Sequence, residues 1–75
     1  MNTNRRKRIR ESIQKIEDIR SEIEAVMDEE DEARDNMPES LQESDRYTQS
    51  EEASEALCSA INSLAEASSA LEEVV

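Results

Sequence analysis

The chemistry open to this chain is bounded by what its side chains can ionise or ligate: twenty carboxylates, nine basic groups, one thiol and no histidine. Without histidine, neither a Ser/His/Asp set nor a Cys/His pair can be assembled. Cys58 stands alone, so it can form no internal disulfide and cannot build a zinc site. Paired carboxylates do general acid–base work only in a concave, partly dry site, which narrow helices do not provide. A calcium loop counted from Asp31 fails as well. An EF-hand needs an oxygen ligand at its third position and glycine at its sixth, where this chain has Ala33 and Asn36. These residue types point away from an enzyme, and no cofactor or metal is expected.

What remains is charge and its placement. Residues 1–27 carry seven cations and five anions, a net of +2. Residues 28–55 carry twelve anions and two arginines, a net of −10, and residues 56–75 add three glutamates, giving −11 in all. The acid run Asp28, Glu29, Glu30, Asp31 and Glu32, with Asp35, Glu39, Arg46 and Tyr47 after it, is the candidate surface for a partner protein with a basic face. The alternative is a solvated face that only keeps the protein dispersed. The opposite cluster, Arg5, Arg6, Lys7, Arg8 and Arg10, could follow a phosphate backbone. In an oligomer, Arg5, Arg6 or Arg8 could instead trap a nucleotide signal. The overall charge argues against direct nucleic-acid binding, as does the lack of stacking aromatics other than Tyr47.

The elements that carry these charges follow from periodicity. Apolar residues at 9, 13, 16, 19, 23, 26 and 27 recur in steps of three and four and predict one helix over about 4–34. Asn2 or Thr3 can cap its start, and it must stop before Pro38, which disfavours α geometry at Met37. A second stripe, Ala53, Leu57, Ala60, Leu64, Ala67, Leu71 and Val74, predicts a helix over about 49–74. Thr48 and Glu51 fit a capping box at its start. Read as heptads, leucines and alanines alternate as large and small contacts along one seam, with Ile19, Val26, Ile61 and Val75 on the flanks. Residues 35–48 form the connector, with a short turn through Pro38-Glu39-Ser40-Leu41.

Folding the chain back about this connector sets Ile13 near Leu71, Ile23 near Ile61 and Met27 near Leu57. The chain is therefore expected to be all-α, a single antiparallel two-helix hairpin of coiled-coil type. Seventy-five residues with one aromatic side chain supply little to bury, and chains of this size usually need reinforcement. With disulfides and metals excluded, self-association is the remaining support. The expected assembly is a dimer forming a four-helix bundle, with Ile16, Ile23, Leu57, Ile61, Leu64 and Leu71 as candidates for the contact. Arg20 interrupts the first stripe. Either its stem lies over the seam and its head reaches Glu17 or Glu24, or it fixes pairing register as a buried polar residue does in coiled coils. Cys58, beside the seam, reads as a packing residue or as a thiol for an intermolecular disulfide. No apolar stretch is long enough to span a bilayer, and the basic start lacks the apolar core of a signal peptide. The expected location is the cytoplasm.

The connector, Asp35-Asn36-Met37-Pro38-Glu39-Ser40-Leu41-Gln42 continuing to Ser44, Arg46 and Tyr47, resembles small uncharacterised proteins encoded by bacteriophages and mobile elements of Gram-positive bacteria. The acid run before it and the Glu-Glu-Ala helix after it extend the likeness over most of the chain. The resemblance implies a context: small acidic phage proteins often inhibit host defence or nucleic-acid enzymes, some by imitating the charge of DNA. It implies a host-cell location and a host protein as partner, and it assigns no residue a role. On that reading the connector is a recognition surface. On the structural alternative, Leu41 and Tyr47 cover the open end of the bundle.

Overall fold

The computed structural model describes residues 1–75 as two antiparallel helices, α1 (Thr3–Asp35) and α2 (Asp45–Glu72), with one 3-10 turn (Glu39–Leu41) between them. They lie along each other as a rod of 59 × 14 × 12 Å. No helix is long and apolar enough to cross a membrane.

Each boundary has a local cause. Asn2 caps α1, its side-chain oxygen accepting from the Arg5 N–H at 2.8 Å. The helix closes at Asn36, whose N–H donates back to the Glu32 carbonyl, while the next N–H, that of Met37, donates to the Arg34 carbonyl. Successive turns then carry the chain round. The Leu41 N–H donates to the Pro38 carbonyl, Gln42 to Glu39, and Ser44 to Leu41. No residue takes a positive φ, so the reversal needs no glycine and the chain contains none. The connector is thus shorter than the sequence predicted, because α2 starts at Asp45 rather than near residue 49. Its cap is Ser44, which accepts from the Tyr47 N–H, and not Thr48, whose hydroxyl instead donates to the Ser44 carbonyl. Asp45 in the first turn also suits the positive helix end.

The α1 face turned toward α2 is the expected one: Ile9, Ile13, Ile16, Ile23 and Met27 are all half-buried. The α2 face is rotated from the expected one. Leu57, Leu64 and Leu71 line the seam, but Ile61, Ser50, Ser54 and Ser68 complete it, while Ala53, Ala60, Ala67 and Val74 are exposed. Both faces keep the seven-residue period. The observed one covers Ile61 in place of an alanine and so removes more apolar area from water. It also brings three serines into the seam, two of them buried. Arg20 lies over the seam and pairs with Glu17 one turn back, the first of the two readings open to it.

Two helices cannot close a core. No apolar residue is buried in the hairpin. The chain exposes 5676 Å², where a compact monomer of 8.5 kDa exposes about 4,700 Å². Roughly 1,000 Å² is therefore exposed in excess.

Two substitutions measure how the seam and cap contribute. The Ser68 hydroxyl is buried without a hydrogen-bond partner, so Ser68→Ala is expected to raise stability by about 1 kcal/mol in urea unfolding. Ser44→Ala is expected to lower it by about 1 kcal/mol through loss of the α2 cap.

Candidate protein-binding surface at the acidic pole

The end of α1, the connector and the start of α2 form one end of the rod and carry the net −10 of residues 28–55. Three oxygens on the first turns of α2 face Arg34 in the last turn of α1. Its guanidinium donates to the Ser54 hydroxyl at 2.8 Å, the Ser50 carbonyl at 3.1 Å and the Ser50 hydroxyl at 3.2 Å. Its second nitrogen donates to Asp31 at 2.8 Å. The Ser54 hydroxyl then donates to the same Asp31 oxygen, and the Ser50 hydroxyl to Glu30, each at 2.6 Å. Arg34, Ser54 and Asp31 thereby close a ring of hydrogen bonds across the two helices.

The ring shapes the electrostatics of this end. The Arg34 side chain is only 15% exposed, so its charge is turned inward. Hydrogen bonding from Ser54, then from Arg34, holds the Asp31 carboxyl below the ordinary aspartate range. The bond to Asp31 in turn pushes Arg34 above its usual value. With Arg34 withdrawn, Arg46 is the one exposed cation between residues 28 and 55. Ten carboxylates remain exposed around it, on Asp28, Glu29, Glu32, Asp35, Glu39, Glu43, Asp45, Glu51, Glu52 and Glu55.

The sequence-derived candidates are therefore divided by the fold. Asp28, Glu29, Glu32, Asp35, Glu39 and Arg46 point outward, whereas Glu30 and Asp31 are half-buried and bonded to α2. Tyr47 is half-buried, and Leu41, expected as its partner in covering the end, is 42% exposed. Arg5, Arg6, Lys7, Arg8 and Arg10 are exposed at the opposite end of the rod, where Arg5, Arg8, Ile9 and Ser12 line a shallow groove. Ile16, Ile23, Leu57, Ile61, Leu64 and Leu71 lie half-buried along the seam between α1 and α2. The large apolar side chains left exposed on the helices are Ile19 and Val26. Cys58 is exposed beside a groove that Asp31, Arg34, Glu51 and Ser54 also line. No three side chains converge in a way that could hold a metal ion.

Sequence reasoning missed the ring. Arg34 and Glu30 are visible as an i, i+4 pair, but Arg34 bonds Asp31 and crosses to the serines instead. The available signal was the spacing Ser50-x-x-x-Ser54, which puts two hydroxyls on one helix face at the level of Arg34. No protein-family model, curated protein or solved structure matches the chain.

Asp31 gives the ring a pH signature. Its carboxyl is more acidic folded than unfolded, so its contribution is complete above the unfolded value and drains away as pH falls through the folded one. The stability gap between wild type and Asp31→Asn is expected to be constant above about pH 5 and to close toward acid. A gap that persists unchanged at low pH in urea unfolding would contradict this role.

Proposed function

We propose that the chain is a non-enzymatic protein-binding module: a helical hairpin that pairs with itself into a four-helix bundle and offers its acidic pole to a basic surface on another protein. The observation that carries the reading is the inward turn of Arg34. With Arg34 tied to Asp31 and to the serines of α2, ten exposed carboxylates and a single exposed cation are left at this end of the rod, an outward net of −9. Complementary fields of this kind steer encounter and fix orientation. The natural counterpart is a protein face that otherwise holds a nucleic-acid backbone, so the module would act as a competitor of DNA or RNA.

Self-pairing supports the same reading from a different side. With no buried apolar residue and about 1,000 Å² of excess exposure, the single hairpin has the area to spare that one partner gives to an ordinary interface, about 800 Å². Self-association is the support left to a chain of this size with one cysteine and no histidine.

Location, not total charge, is the testable content. Two variants with equal net charge are compared for binding to fluorescent polylysine, with duplex DNA as competitor. One carries Asp28, Glu32, Asp35 and Glu52 changed to Lys, all exposed and outside the Arg34 ring. The other carries Glu11, Asp18, Glu66 and Glu73 changed to Lys, away from the pole. The pole variant is expected to lose affinity by about tenfold or more, and the control to stay within a few-fold of wild type. Equal losses would mean that only net charge matters and would end the proposal of a directed surface.

A further inference from the structure

The rod has two long edges, and only one of them is apolar. On one edge, Asp31 and Glu51 line a groove with Cys58. On the other, Ile19 and Val26 of α1 run beside Ala53, Ala60, Ala67 and Val74 of α2, all exposed. Antiparallel pairing puts these two stripes together, because each stands one position before the seam residues of its own helix. The groove that Ala53 shares with Glu30, Arg46 and Ser50 lies on this second side.

The exposed row next outside Ile19 and Val26 on α1 is Arg8, Lys15, Glu22 and Glu29, spaced by heptads. Its signs read plus, plus, minus, minus about a centre between Lys15 and Glu22, and Ile19, the midpoint of α1 (Thr3–Asp35), sits at that centre. A row that inverts its sign about its own middle is complementary to a reversed copy of itself. The matching row of α2, Gln49, Ala56, Ser63 and Ala70, carries no charge, and its last three side chains are small, which lets a neighbouring helix approach closely.

We infer that the apolar edge is covered by a second copy of this chain running in the opposite direction, α1 against α1, with Arg8 facing the partner's Glu29 and Lys15 facing the partner's Glu22. This rests on the self-pairing put forward above and adds the face and the direction. A two-fold axis through Ile19 makes each contact occur twice, as a closed dimer requires. The same reversal sets the basic run, residues 5–10, at the level of the partner's acid run, residues 28–33. It takes Glu29 into the pairing and leaves Asp28, Glu32, Asp35 and the carboxylates of α2 to the pole. It also keeps the two acidic poles at opposite ends of a 59 Å rod, many screening lengths apart, where a same-direction dimer would press one −10 pole against the other. The excess exposed area matches what one partner contributes to a standard interface.

The test uses the full chain and light scattering at low salt, with circular dichroism to verify that each variant stays helical. All four charged positions and Ile19 are exposed in the hairpin, so their substitution leaves the intramolecular seam intact. Wild type is expected to be a dimer. Arg8→Glu with Lys15→Glu makes the row wholly negative, Glu22→Lys with Glu29→Lys makes it wholly positive, and each pair should weaken dimerisation about tenfold or more. Combining all four changes restores the alternation and should restore the dimer. Direction is read by oxidation in a Cys58→Ser background, where Ser12→Cys mixed with Val26→Cys should give the mixed disulfide, since their levels sum to twice that of Ile19. A wild-type monomer would remove the self-pairing reading and this inference with it. A dimer indifferent to the charge changes, or one giving only Ser12→Cys homodisulfides, would keep self-pairing and overturn the face or the direction proposed.

Discussion

A helix with one neighbour can cover one face, and everything else in this molecule follows from that limit. Along the seam no isoleucine of α1 and no leucine of α2 is fully covered, because solvent reaches each from the long edges. Burial is the main favourable term in folding, so a rod of this kind gains less from it than a compact domain of equal mass. The hairpin compensates with long, capped helices: the Asn2 and Ser44 side chains each satisfy one of the free N–H groups at the two starts. In the connector, the turn hydrogen bonds from Leu41, Gln42 and Ser44 offset part of the chain entropy lost in ordering it. These devices order the hairpin without closing a core.

Electrostatics runs against the same economy. Helix α1 begins with cations and ends in a run of acids, opposite to what its dipole favours. Arg34 is the only basic residue in its last turn. Instead of remaining at the surface to offset nearby acids, it reaches across to Ser50, Ser54 and Asp31. In doing so it ties the two helices at one register, the task that sequence reasoning considered for Arg20. Arg20 pairs only within its own helix. A polar tie of this kind contributes specificity of pairing more than strength, and it leaves Arg46 as the one exposed cation among the ten exposed carboxylates of the pole. A surface that accumulates repulsion while nothing in the fold requires it is the physical reason for reading that pole as a place where another protein docks.

The helices and their facing were legible where one spacing admitted one answer. Steps of three and four from Ile9 to Met27 define a single face, and Pro38 sets a limit that α1 respects. The α2 face was not legible, because Leu57, Leu64 and Leu71 are compatible with two seams. Hydropathy favours Ala60 and Ala67 over Ser54 and Ser68, yet the serines go inside. Ser50 and Ser54 go inside because Glu30, Asp31 and Arg34 stand opposite and need partners, a fact that depends on which residues meet across the hairpin. The start of α2 was ambiguous for a similar reason: Ser44 and Thr48 are both competent caps, one turn apart. The acidic pole was legible as a sum of charges. Its sorting into ten free carboxylates and two bonded to α2 was not.

That a lone hairpin is incomplete is the claim on which both the assembly and the pole's presentation depend. It is tested most directly by the thermal midpoint of helix loss as protein concentration is varied over about two decades. If folding is coupled to pairing, mass action makes the midpoint rise steadily with concentration. A midpoint that does not move would mean that the incompletely covered seam is sufficient by itself, and would contradict the account.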